Sequence, residues 1–151
     1  MRRLTDEQYR NSISDVFGTS IKIGGRLDPL VRTGGLIALG ARSAPITPAG
    51  LQMMDQLARS ISEQVVDEQR RGMLVGCAPA TPASFDEACA GQFLKRTGRM
   101  LYRRPLSDTE LKARIDAART ATETLGDFHV GLSASLAGML VSPSFLFVVD
   151  S

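Results

Sequence analysis

Few residues in this chain have side chains suited to binding or reaction, and their spacing limits what they can do. Lys95, Arg96, Arg99, Arg103 and Arg104 put five positive charges within ten residues, several of them on one face of a helix. That pattern suits a phosphate- or acid-bearing partner. A solvated or salt-bridged helix face is the default reading of such a run. DNA-binding helix-turn-helix units offer a third comparison, but here the turn carries Pro105 in place of glycine, and the next segment, SDTEL, opens acidic without base-reading side chains. Nucleic acid is therefore disfavoured as a partner. Cys77 and Cys89 are too far apart for a redox C-x-x-C, and two thiols with one histidine cannot complete a tetrahedral zinc site. A disulfide or a pair of buried thiols remains. His129 stands beside Asp127 with no nucleophile or second carboxylate arranged with it, so it reads as a helix-start histidine and not as a general acid or base.

The usual cofactor signatures are missing or incomplete. C-x-x-C-H does not occur, so no c-type haem attaches covalently to this chain. Met53, Met54, Met73, Met100 and Met139 fall within apolar stripes and read as core filling, not as haem ligands. Gly24-Gly25 and Gly34-Gly35 lack the rest of a phosphate loop. No catalytic, cofactor-binding or metal-binding residue is assigned, and no cofactor is expected.

Whatever these groups do, helices must position them. The chain has 151 residues, 43% hydrophobic and 23% charged, enough for one globular domain with a core. A net charge of +2 gives no strong electrostatic case for nucleic acid or membranes, and the absence of Trp disfavours a stacking platform. Thr5 and Gln8 form a capping-box pattern before the stripe Tyr9, Ile13, Val16 and Phe17, which Gly18 ends. A second helix starts at Thr47-Pro48 and carries Leu51, Met54, Leu57, Ile61 and Val65 toward Gly72. Ser84 and Glu87 open a third, with Phe85, Cys89, Phe93, Leu94, Met100 and Leu101 on one side, ending near Arg104 because Pro105 cannot continue it. Ser107 with Glu110 caps a fourth, with Leu106 placed to staple against Leu111, running to Gly126. Asp127 caps a fifth, apolar on most sides, which Ser142-Pro143 stops.

These elements predict an all-α domain of about five helices in an irregular bundle with one long loop, Gly18 to Ile46, in which Ser20 to Ile23 can pair as a short strand. The tail Phe145, Leu146 and Phe147 is expected to lie uncovered, docking on a partner or on further chain. No window approaches eighteen apolar residues, and MRRLTDEQYR is followed by no apolar stretch of the kind a signal peptide needs. The expectation is a soluble chain without a membrane span or signal sequence.

Three ordered stretches carry a resemblance. RRLTDEQYRNSISDVFG, FLKRTGRMLYRRPLSDTEL and GDFHVGLSASLAGMLVSPSFLF resemble successive signatures of exported, multi-domain bacterial proteins of unknown function, abundant in planctomycetes and often fused to cytochrome c domains. Between them, ITPAGLQMMDQLARSISEQVVDEQRRGML and the two cysteines fit the same order. The resemblance implies a first module over residues 1–75, a second over 76–126 containing the Arg-Arg-Pro corner, and the start of a third over 127–151. It further implies a periplasmic or extracellular location and, in an oxidising compartment, a Cys77–Cys89 disulfide. The function expected on this basis is that of a non-catalytic helical scaffold whose partners are other domains or subunits of one exported assembly, a c-type cytochrome among them. The alternatives are a part of a larger periplasmic oxidoreductase, forming a substrate or haem pocket with partner domains, and a polyanion- or nucleic-acid-binding module using the arginine run.

Overall fold

The computed structural model describes residues 2–25 and 47–148. Most are helical, in the order β1 (Arg2–Arg3), α1 (Asp6–Phe17), α2 (Pro48–Val65), α3 (Arg71–Leu74), α4 (Glu87–Tyr102), α5 (Asp108–Leu125), α6 (Phe128–Leu140), α7 (Pro143–Leu146) and β2 (Phe147–Val148). The all-α expectation holds in kind. The helices number seven among the described residues, because two single-turn elements, α3 and α7, stand where none was foreseen. No helix among those residues is long and apolar enough to cross a membrane.

Local signals set most boundaries. Both halves of the Thr5–Gln8 and Ser107–Glu110 capping boxes form, and Asp127 accepts from Val130 N. Helix α4 differs: its cap is Asp86, which accepts from Cys89 N at 2.9 Å, while Ser84 closes a turn with Thr81. Helix α2 stops at Val65, seven residues before Gly72. There Asp67 accepts from the Gln69 and Arg70 amides, and this side-chain turn redirects the chain before Gly72 is reached. Leu51 and Met100, expected on apolar faces, are exposed.

Helix α6 is the centre of the bundle. Phe128, Leu132, Leu136, Met139 and Leu140 are fully buried, and α6 packs against α5 on one side and α2 on another. Burial is not complete all round, as its apolar sequence suggests it should be: Val130 and Ala134 are exposed on the face that α5 and α2 leave open. The approach to α5 depends on Gly131, where a Cβ would lie 2.6 Å from Thr122 N and 2.8 Å from Thr122 Cα. The buried apolar residues, from Leu4 to Leu146, form one cluster.

Two expectations are corrected at the bundle's edge. Phe145 and Leu146 are not uncovered: they are 0% and 1% exposed. The N-terminal segment returns to cover them, with Arg2 and Arg3 pairing antiparallel to Val148 and Phe147, Leu4 N donating to Leu146 O at 2.7 Å, and the Tyr9 ring 5.6 Å from that of Phe145. Only Phe147 of the three stays half-buried. Ser20 to Ile23 form no strand. A side chain replaces the missing neighbour, since Gln64 Nε2 donates to Lys22 O and Gln64 Oε1 accepts from Lys22 N, both at 2.8 Å. The rest of the long loop, from residue 26 to 46, lies outside the described residues.

Candidate functional site

The five cations of the basic run do not share one site. Arg96, in the third turn of α4, gives Nη2 to the carbonyls of Leu74 and Val75, each at 3.1 Å, at the end of α3. Arg103 sits at the C-cap of α4 and gives Nη1 to Phe145 O at 3.3 Å, its guanidinium 5.8 Å from the Phe145 ring centre. Partial burial holds its pKa below the ordinary arginine value. Arg104 forks onto Glu110 at 2.8 and 2.9 Å and reaches Ser144 Oγ at 3.2 Å. That hydrogen bond raises Arg104 and pulls the Glu110 carboxyl down to about 2. Lys95 and Arg99 remain exposed, with no side-chain partner among the described residues.

The corner Tyr102-Arg103-Arg104-Pro105 is where α4 turns into α5. Arg103 takes the left-handed conformation, φ 61° and ψ 24°, that ends a helix before a proline. It is the one non-glycine with positive φ among the described residues. Around the corner lies a surface pocket of about 580 Å³ bounded by Tyr102, Arg103, Arg104, Pro143, Ser144, Phe147 and Val148. The Tyr102 and Ser142 hydroxyls, 2.9 Å apart, tie its floor to the end of α6.

Cys77 and Cys89 bring their sulfurs to disulfide distance, 2.10 Å, linking the segment after α3 to the first turn of α4. On the far side of that segment, Arg71 Nη1 lies 3.1 Å from His129 Nδ1. A guanidinium only donates, so Nδ1 accepts and the imidazole proton sits on Nε2, a buried atom with no partner among the described residues. Burial first, then the Arg71 charge, push the His129 pKa below 6.5. His129 does lie in the first turn of a helix, as its position beside Asp127 suggests, but its ring is buried and held from another element. Arg71, Tyr102 and Ser144 carry no pattern that sequence reasoning could have caught. Their partners are 58, 40 and 40 residues away.

Residues 89–150 match the model of a family described as PSD5, protein of unknown function (DUF1595). The chain is similar to that family over this stretch. It takes in Cys89, the arginine corner, α5, α6, α7 and β2. No curated protein and no solved structure matches the chain.

Proposed function

We propose that this chain is a non-catalytic helical scaffold within a periplasmic or cell-surface assembly, built of successive modules and presenting surfaces to domains or subunits that supply the redox chemistry, a c-type cytochrome among them. The observation that carries this reading is how the strongest polar groups are used. Arg71 donates to Val66 O, Arg96 to Leu74 O and Val75 O, Arg103 to Phe145 O and Arg114 to Ser135 O. Each guanidinium ties a main-chain carbonyl outside its own helix, so groups that bind substrate in many enzymes serve here to lock elements together. The cysteine pair supports the compartment, since disulfides persist where the surroundings are oxidising.

The test is purification from the native source without reductant. A chain free of reactive thiols, holding a stoichiometric protein partner, with haem absorbance following the partner when the two are separated, is the expected result. Turnover or a tightly bound chromophore in the isolated chain would overturn the reading. Heparin or DNA binding that weakens steeply with salt, and is lost on Arg99→Ala, would replace it with a polyanion module.

A further inference from the structure

Arg103 of the basic run and Phe147 of the apolar tail, far apart in sequence and in chemistry, line the same pocket at the α4–α5 corner. The two arginines there are not equivalent. Arg104 is neutralised, its Nη atoms both taken by the Glu110 carboxylate. Arg103 has no carboxylate partner among the described residues, and of the five N–H donors of its planar fork only one is recorded on a protein acceptor, Phe145 O. Ser144 Oγ accepts from Arg104 Nη2, which leaves its own proton without an acceptor among the described residues. The same pocket is lined by Pro143 and by the half-buried Phe147 and Val148.

The backbone adds an independent observation. Position 103 is left-handed, where glycine is the ordinary occupant and a side chain costs energy. The clamp on Phe145 O uses one donor of five.

We propose that this pocket binds a small organic carboxylate, with the Arg103 guanidinium and the Ser144 hydroxyl on the carboxylate and the Pro143, Phe147 and Val148 surface against an apolar body. One guanidinium without a carboxylate partner among the described residues matches one planar monoanion by forked hydrogen bonding. A dianionic phosphate would find its second cation already occupied by Glu110. The volume of about 580 Å³ lies in the range of small-molecule sites and admits a compact aromatic or branched acid. A scaffold with or without this ligand is still a scaffold, so this inference and the proposed function fail separately.

The experiment is an amide and arginine-Nε NMR titration of the folded chain with benzoate, benzamide and inorganic phosphate. Benzoate produces saturable shifts at Arg103 Nε, Ser144, Phe147 and Val148. Benzamide, with the same ring and no charge, binds at least about tenfold more weakly, and phosphate more weakly than benzoate. Arg103→Gln weakens benzoate binding about tenfold or more, while Arg96→Gln, outside the pocket, leaves it unchanged. Because Arg103→Gln also removes the clamp on Phe145, Ser144→Ala is the companion variant, and it weakens binding by about two- to tenfold. Absence of saturable benzoate shifts, equal binding of benzamide, tighter binding of phosphate, or wild-type affinity in both pocket variants would overturn the proposal.

Discussion

Adding one methyl group at Gly131 and one at Gly91 should move stability in opposite directions. At Gly131 the new Cβ would lie on Thr122 Oγ1 and 2.6 Å from Thr122 N, about 0.8 Å inside the 3.4 Å at which ordinary contact begins. The obstacle is backbone of α5, which no rotamer change can move aside. Helices α5 and α6 must separate, and overpacking against backbone falls at the upper end of the usual range, about 2–3 kcal/mol. Against that stands the gain of about 1 kcal/mol for replacing glycine by alanine inside a helix. At Gly91, within α4, the nearest atom to a new Cβ is Ile115 Cδ1 at 3.5 Å, an ordinary contact, so the propensity gain stands alone. Gly131→Ala is therefore expected to destabilise by about 1–2 kcal/mol net and Gly91→Ala to stabilise by up to about 1 kcal/mol. At about 2–4 °C per kcal/mol for a chain of this size, Tm falls by about 2–8 °C in the first and rises by up to about 4 °C in the second. Chemical denaturation followed by circular dichroism, with calorimetry for Tm, measures both. The two variants shifting in the same direction, or Gly131→Ala unfolding at or above the wild-type midpoint, would refute the close α5–α6 approach.

Reducing the Cys77–Cys89 bond, whose ends are 12 residues apart, is expected to cost about 3 kcal/mol by chain entropy; a denaturation midpoint that does not move on adding a phosphine reductant counts against it. His129 binds its proton less readily in the folded chain than unfolded, so the unfolded state takes up protons first and stability falls as pH drops below about 6.5. His129→Gln should flatten that part of the stability–pH curve, and an identical slope in the variant would argue against a buried neutral imidazole. Glu110 is the reverse case: its carboxyl, held at about 2 against 4.5, contributes stability that is full above about pH 4.5 and is lost as pH falls through about 2. Glu110→Gln keeps the capping geometry but loses the Arg104 fork, so at neutral pH it should cost no more than about 1 kcal/mol, given the exposure of the pair, and a loss of several kcal/mol in urea titration would show that the pair does more than the structure assigns to it.

The parts of the fold that could be read ahead were those in which neighbours in sequence are also neighbours in space. Thr5–Gln8 and Ser107–Glu110 are separated by three residues, and their chemistry is complete within one turn. Ser84 misled because it has the same capping chemistry as Asp86 two residues on, and the choice between them depends on Thr81, which ties Ser84 into a turn. The stop at Val65 depends on Asp67, whose turn chemistry competes with helix continuation at no cost in composition. The cover over Phe145 and Leu146 comes from residues more than 130 positions earlier, a distance over which no periodicity carries information. At the candidate site the same division holds: the Arg-Arg-Pro corner was legible as a corner, whereas the separate employment of the arginines of the basic run was set by acceptors on α3, α5 and α7.

The unforeseen short helices and the dispersal of the basic run are one phenomenon. A four-residue helix has as many carbonyls lacking an internal partner as it has residues, and cannot satisfy them by itself. At α3 those orphaned acceptors include Leu74 O, and Arg96 reaches it, together with the carbonyl of the C-cap Val75, from the side of α4. At α7 they include Phe145 O, and Arg103 reaches it from the end of α4. Single-turn helices can be kept at the edges of this bundle because long, donor-rich side chains on α4 and at its C-cap finish their hydrogen bonding. A cluster of positive charge in the sequence thus becomes a set of cross-element caps. Lys95 and Arg99 point to no such acceptor among the described residues, and Arg103 retains donors after its cap is made. Within the run, then, only Arg104 is paired with a carboxylate among the described residues, and of the four cations left Arg103 offers its charge inside a pocket.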